Sequence, residues 1–401
     1  MSSRLFTLVA ITLFVFCGCA GQSSVSSGLA PSEATRPNAA DGAHGLPGGN
    51  GYVAFPGESA KGLPGATFAC SPATISAQAQ CMIAINLNVK PNPNPNLPAV
   101  SIPGYHPNDL ASAYGLPVGA GLHRTVAIVD AFDDPTAEAD LAVYRAAFGL
   151  PACTSLSGCF SKVNQRGQNS GYPTLDAGWA QEVALDLDMV SAACPNCKLL
   201  LVEADSSLID DLGASVDTAA TFRPIAISNS YFAWEWPTEG SEEVHYHHPG
   251  IAITVSSGDH HFESYPAASR FVTAVGGTSL SNGPRSWSEQ AWKFSGGGCS
   301  AYIPKAFAQD GSTCTTRAAI DVAAVGDPNT GVAVYSSFSD GWIVAGGTSV
   351  GAPLIAAGYA LAGQGNPPNY SYAHEAAFHD IPPMEYDLRT GLGTPAGIGG
   401  L

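Results

Sequence analysis

Thr125-Val-Ala-Ile-Val-Asp-Ala-Phe132 is a continuous apolar run broken by one carboxylate, and a helical stretch follows over 135–148. A run apolar on both faces fits a strand covered on both sides. The alternation recurs. Residues 178–193 read as a helix and Lys198-Leu-Leu-Leu-Val-Glu203 as the next strand; further strands are expected at 225–230, 251–257, 271–276 and 332–337. Strands separated by helices predict a parallel sheet with helices on both faces, an α/β domain over 105–401.

Composition narrows the function classes. The chain has 16 Lys+Arg against 33 Asp+Glu, a net charge of −17. No basic footprint for phosphate exists, so nucleic acid is excluded as a partner. Charged residues make up 12% of the chain, roughly half the usual share, which argues against coiled coils and helical bundles. The acidity lies beyond residue 104, where 12 basic residues face 30 acidic ones. Such a surface repels itself at neutral pH and is relieved when carboxylates take up protons.

The first 19 residues read as an export signal: Arg4, then an apolar stretch from Leu5 to Phe16 too short to favour a membrane span. Phe16-Cys17-Gly18-Cys19 resembles a lipoprotein processing site, with Cys19 as the lipidated residue; ordinary secretion is the other reading. Either places the protein outside the cytoplasm, extracellular or anchored to the envelope. Residues 20–104, rich in Gly and Pro and ending near Pro91-Asn-Pro-Asn-Pro-Asn-Leu-Pro98, read as a leader and linker. Eight further Cys in an oxidising compartment predict disulfides, and the spacing favours the local pairs 70–81, 153–159, 194–197 and 299–314. Cys194-Pro-Asn-Cys197 also fits a redox or zinc site.

Three stretches carry candidate chemistry. Gly346-Gly-Thr-Ser349-Val-Gly-Ala-Pro353 puts a Ser at a Gly-rich helix start, where the dipole favours developing negative charge. Taken alone, Ser349 also reads as a helix cap. Glu182 and Asp186 stand four apart on an otherwise apolar helix, so they share one face with no Lys or Arg nearby to pair with them. Val255-Ser-Ser-Gly-Asp259 ends a predicted parallel strand, the edge at which open α/β sheets build sites, although Asp259 alone also fits a turn.

Together these residues resemble the sedolisin family, the serine-carboxyl peptidases, over most of residues 105–397. The resemblance rests on Asp109-Leu-Ala-Ser-Ala-Tyr-Gly-Leu-Pro117, Glu182-x-x-x-Asp186, Ser256-Ser-Gly-Asp259, Gly347-Thr-Ser-x-x-x-Pro353, Asp321-Val-Ala-Ala-Val-Gly-Asp-Pro-Asn-Thr-Gly331 and Tyr386-Asp-Leu-Arg-Thr-Gly-Leu-Gly-Thr-Pro395. It implies a subtilisin-like fold with a seven-stranded parallel sheet, polypeptide substrates, a monomer, and activity at acidic pH. It also implies roles: Ser349 as nucleophile, Glu182 as general base, Asp186 orienting Glu182, and Asp259 as a protonated oxyanion donor. The family's calcium site would fall on Asp380, Ile381 and Asp387. Only five residues separate Ile381 from Asp387 here, and the leader is shorter than the family's folded propeptide.

Four rivals remain at this level. Asp130 resembles the strand-end Asp of a Ser-His-Asp protease, but no matching His helix is present. His374 and His379 are five apart, which a zinc helix does not allow. His245, His247, His248, His260 and His261 form a second candidate metal patch, with a surface or cleft rim as the plainer reading. A catalytically inactive binding protein on the same fold is the last.

Overall fold

The computed structural model describes residues 63–401 apart from Arg285, Phe307, Asp310 and residues 383–386. The expected signal segment, Cys17 and Cys19 lie outside the described residues.

Residues 63–104 supply three short strands, β1 (Ala66–Phe68), β2 (Gln80–Cys81) and β3 (Ala84–Asn86). The helix–strand alternation begins at α1 (Pro107–Tyr114) and runs through β4 (Thr125–Ala131), α2 (Ala137–Ala147), β5 (Phe160–Asn164), α3 (Ala177–Ala193), β6 (Lys198–Ala204), α4 (Ile209–Thr221) and β7 (Ala226–Asn229). The short β8 (Tyr231–Phe232) precedes β9 (Ala252–Ser256), β10 (Thr273–Asn282), β11 (Trp287–Ala291) and a ribbon of β12 (Cys299–Pro304) with β13 (Thr316–Ala318). β14 (Val322–Val325), β15 (Val332–Ser336), β16 (Gly341–Gly346) and α5 (Thr348–Ala362) complete the frame around the site.

The main sheet joins β11, β10, β9, β7, β4, β6 and β5 in that order, with β14 also on β10. Every pairing is parallel except β10 with β11, so seven strands form the parallel sheet expected from the sequence. Its interior strands are buried along almost their whole length, as Val126 to Ala131 illustrates. The buried helices α3 and α5 pack on each other and both contact β4. α3 is buried nearly all round, a position that an Ala-, Leu- and Val-rich helix tolerates and a charged one does not.

The strand at 332–337 does not join that sheet. It forms β15 and pairs antiparallel with β16, Val332 opposite Ala345, in a second sheet of order β1-β3-β16-β15. The reason is connection length: four residues link β15 to β16, enough for a hairpin and far too few for a parallel crossover. Asp340 at φ 57 and Gly341 at φ 100 make that turn.

The described part of the expected leader, residues 63–104, gives β1 and β3 to this second sheet and β2 to a separate two-stranded one. β3 pairs with β16, β1 with β3, and β2 with β8. Further along, Asn92 and Trp342 exchange both backbone hydrogen bonds, at 3.0 and 2.8 Å. A side chain on Gly341 would collide with the Asn92 carbonyl, 2.2 Å from where its Cβ would stand. All four local disulfides are present: Cys70–Cys81, Cys153–Cys159, Cys194–Cys197 and Cys299–Cys314.

Asp321, just before β14, is a buried hub. It accepts from Arg317 Nη1 and Nη2 at 2.9 and 2.6 Å, Ala274 N at 2.7 Å, Gln309 Nε2 at 3.1 Å and the Tyr372 hydroxyl at 2.6 Å. Removing one partner of a buried ion pair strands the other charge. Asp321→Ala is expected to cost about 3–5 kcal/mol in urea unfolding. A loss below about 1 kcal/mol would show that the pair does not hold this corner.

Candidate active site

The C-terminal ends of the parallel strands converge on one region. Asp130 is the next-to-last residue of β4, Ser230 follows β7, and Asp259 lies three residues past β9. Ser349 is brought to the same place by α5, whose first residues follow directly on β16. Glu182 and Asp186 project from α3, one turn apart. Asp176 caps that helix by accepting from Gly178 N and Trp179 N at 2.9 and 3.0 Å, which makes it a capping residue.

The side chains of Asp130, Glu182, Asp186, Asp259 and Ser349 are all buried. Ser230 Oγ donates to Asp186 Oδ1 at 2.8 Å, and the Ser230 carbonyl accepts from Ser349 Oγ at 3.4 Å. The Ser349 hydroxyl also acts on Glu182, lowering its pKa by hydrogen bonding against the larger effect of burial. That approach is loose, since Glu182 Oε1 has no close partner; catalytic hydrogen bonds often tighten only when substrate binds. Glu182 Oε2 accepts from the backbone N–H of Ile83 at 2.6 Å.

Pro353 has a local role here. It sits inside α5 at the position whose N–H would otherwise bond the Ser349 carbonyl. Freed from the helix ladder, that carbonyl lies 3.5 Å from Ser230 Oγ. Ser230 therefore touches Asp186, the backbone of Ser349 and, through its own carbonyl, the Ser349 hydroxyl.

Asp259 Oδ1 accepts from both the backbone N–H and the hydroxyl of Thr348, each at 2.8 Å. Its Oδ2 is buried without a hydrogen-bond partner. That oxygen lies 2.8 Å from where a Cβ on Gly347 would stand, and Gly347 adopts φ 100. Only Gly fits between this carboxyl and the chain opposite.

Electrostatics follow from burial. Desolvation raises Glu182 and Asp186 well above the carboxylate range, and the charge of Asp130 raises both further. Asp130 itself is pushed up to about 8, first by burial and then by Asp134. Burial lifts Asp259 to about 7 against the two Thr348 bonds. A carboxyl protonated near neutrality, with one oxygen left without a partner, can donate a hydrogen bond. The carboxyls on α3 and β4 form one acidic set that shares little charge.

Asp188, on the same helix, accepts from Tyr335 N at 3.0 Å, away from this set. Asp130 is more than the plain strand-end residue the sequence suggested, because its charge acts on both site carboxyls. No hydrogen-bond partner is found for either of its oxygens, so it orients no His and the Ser-His-Asp reading lacks its geometry. Ser230 and Thr348 were missed. Their signal was position alone, one after a parallel strand and one beside Ser349.

The metal readings find no described ligand set. Among the described residues no three His, Cys, Asp or Glu side chains are grouped to hold an ion. His374 ends a short helix and His379 lies on a strand. His245 and His248 pair with Asp217 at 2.7 and 3.0 Å. His260 packs against Phe68, Phe232 and Trp234, and burial lowers its pKa to about 4. For the expected calcium, Asp387 Oδ1 is taken by the N–H groups of Arg389 and Thr390, at 2.6 and 2.7 Å. Asp380 is exposed, and residues 383–386 lie outside the described residues. The described donors alone do not make a cage of the kind calcium takes.

Kumamolisin of Bacillus sp. (strain MN-32) is 29% identical to this chain over 359 residues, 73% of the chain and 62% of that protein. The chain resembles the sedolisin family in sequence and in fold. Among solved structures, Pseudomonas sedolisin, a serine-carboxyl proteinase complexed with two molecules of pseudo-iodotyrostatin, superposes with a TM-score of 0.62 at 21% identity. That match covers 74% of this chain and 96% of the other. Fervidolysin from Fervidobacterium pennivorans, a keratinolytic enzyme related to subtilisin, follows with a TM-score of 0.50, 17% identity, and 82% and 51% coverage. The fold is subtilisin-like. The chain spans less than two thirds of the length of kumamolisin. No protein-family model matches it.

Stability should track the buried acids. Asp130 and Glu203, each at about 8, and Asp259 at about 7 hold protons more tightly when folded than the ordinary range near 4 in an unfolded chain. Their contribution is fully present below pH 4 and drains away as pH rises through 7 to 8. Scanning calorimetry is expected to give a higher Tm at pH 5 than at pH 8.5. An equal or reversed order would contradict the acidic assignment.

Proposed function

We propose that the protein is a secreted or lipid-anchored serine-carboxyl peptidase that hydrolyses peptide bonds in proteins and works best at acidic pH. The observation that carries this reading is the meeting of Ser349, Glu182, Asp186 and a partnerless Asp259 oxygen at the C-terminal edge of the parallel sheet. The likeness to kumamolisin supports it independently.

In this reading Ser349 Oγ attacks the scissile carbonyl carbon while its proton passes to Glu182. Asp186, fixed by Ser230, takes part of the charge on Glu182 and holds it in line. Asp259, protonated on Oδ2, donates to the oxygen that becomes negative. Glu182 then returns the proton to the leaving nitrogen, and water repeats the cycle on the acyl-enzyme. A His base would be protonated and idle in acid, whereas a carboxylate set still exchanges protons there. The four disulfides suit an oxidising compartment. No helix among the described residues is long and apolar enough to cross a membrane.

Cleavage of an unfolded protein substrate is expected to be fastest in acid and to decline as pH passes about 7, where Asp259 loses its proton. Ser349→Ala should lower kcat by about 10⁴-fold or more. Asp259→Ala should lower it by about 10²–10³-fold, the usual cost of one oxyanion donor. Maximal activity at pH 8, or unchanged activity in Glu182→Gln, would sink the reading. Substrate binding without any turnover by the unaltered chain would favour the inactive binding protein instead.

A further inference from the structure

Two glutamates that the reaction above does not use meet a short way past Ser230. Glu239 is fully buried at the start of the 3-10 segment Glu239–Tyr246, where its Oε2 accepts from Trp236 N at 2.9 Å. Its Oε1 is buried and has no donor to bond. Beside it, within hydrogen-bond reach, is the carboxyl of Glu235. Both Glu235 oxygens already act as acceptors, one from the Ser300 hydroxyl and the other from Ala301 N at 2.9 Å. Two carboxyls in one place do not readily both ionise, so one keeps its proton. Because Glu235 accepts on every other side, the proton belongs on Glu239 and points at Glu235.

This pair joins two parts of the chain. Glu235 and Glu239 follow β8, whereas Ser300 and Ala301 open β12, next to the Cys299–Cys314 bridge. The residues just before β12 grip the loop that carries Asp259. Gly296 N donates to the Gly258 carbonyl at 2.6 Å, and Gly297 N donates to the Phe262 carbonyl at 3.1 Å. The Gly296 carbonyl accepts from Ser257 Oγ at 3.1 Å. These bonds bracket Asp259 on both sides along the chain. What fixes β12 against Glu235 therefore helps to fix the backbone of Asp259.

We propose that Glu235 and Glu239 share one proton and act as positioning residues, a latch that holds β12 and the Asp259 loop together in acidic and neutral surroundings and releases them in alkali. Its effect on catalysis rests on the peptidase reading; the latch itself does not. Of the groups around the pair, Glu243 lies on the same segment as Glu242 and is held by Arg270 at 2.7 Å. Glu263 and Tyr265 approach from the loop after Asp259, and β12 brings no charged side chain. Burial first, and then the charge of Glu235, push Glu239 up to about 9, and Glu243 acts in the same direction. Folded Glu239 thus holds its proton more tightly than an unfolded glutamate, whose pKa is near 4. The latch's contribution is fully present below that value and is lost as pH rises through about 9. Above it, two negative charges face each other at a buried point and repel.

The test compares the unaltered full chain with Glu239→Gln, whose amide can donate to Glu235 without a titrating proton, and with Glu239→Ala. Each is exposed to trypsin between pH 7.5 and pH 10, and nicking after Lys305 is followed by mass after reduction. In the closed ribbon Lys305 Nζ is bonded to the Ser312 carbonyl at 3.2 Å. Each is also assayed on an unfolded protein at pH 4. Corrected for trypsin's own pH dependence, nicking of the unaltered chain is expected to rise about tenfold or more between pH 8 and pH 10, while Glu239→Gln keeps its pH 8 rate. Glu239→Ala is expected to be nicked fast already at pH 7.5. At pH 4 it should lose about tenfold or more in kcat with KM little changed, a loss that Glu239→Gln does not share. An equal alkaline rise in the unaltered chain and Glu239→Gln, or no rise in either, would overturn the latch, and this comparison decides even if Glu239→Ala does not fold. Full activity of a folded Glu239→Ala would overturn the link to Asp259. The expected nicking pattern in a chain that cuts no protein at pH 4 would leave the latch standing while the peptidase reading falls.

Discussion

The structure turns on the burial of carboxyls without cations. Glu182 and Asp186 lie on a helix enclosed on nearly every side, and Asp130 closes the group from β4. No Lys or Arg is among the groups that shift their titration. Such a set survives in a core only if it is mostly protonated, which ties the packing of α3 to the acidity of the surroundings. The chemistry and the core are therefore one object. Whatever loosens α3 against α5 also moves Glu182 away from Ser349.

Much of this was legible in the sequence. The apolar runs at 125–132 and 198–203 fixed a parallel sheet because nothing else tolerates strands without a polar face. Glu182 and Asp186 announced themselves by their cost, two acids one turn apart among Trp179, Val183, Leu185 and Met189. Two things stayed hidden. The run at 332–337 looks like the others, and only the four-residue connection to β16 sends it into a separate sheet. Residues 63–104 look like leader because Gly and Pro are dense there, yet their strands are completed by β8 and β16, more than a hundred residues further on. Pairing partners at that distance leave no local trace.

Ser230 and Thr348 illustrate another limit. A serine after a strand and a threonine at a helix start are common, and their work is done through geometry: one bridges Asp186 and the backbone of Ser349, the other fixes which oxygen of Asp259 is left free. Pro353 belongs with them. Its missing N–H changes what the Ser349 carbonyl can bond, four residues upstream, without touching the site itself.

The disulfides close short rings, with separations of 11, 6, 3 and 15 residues. Rings of that size add less to global stability than long-range bridges do. Their effect is on shape. Leu156, almost wholly exposed within the Cys153–Cys159 ring, would be an inviting apolar side chain for any peptidase. A peptide must be drawn out as a strand to be cut, and a ring closed over six residues cannot extend. A loop closed by so short a ring resists being drawn into a cleft however exposed its side chains are.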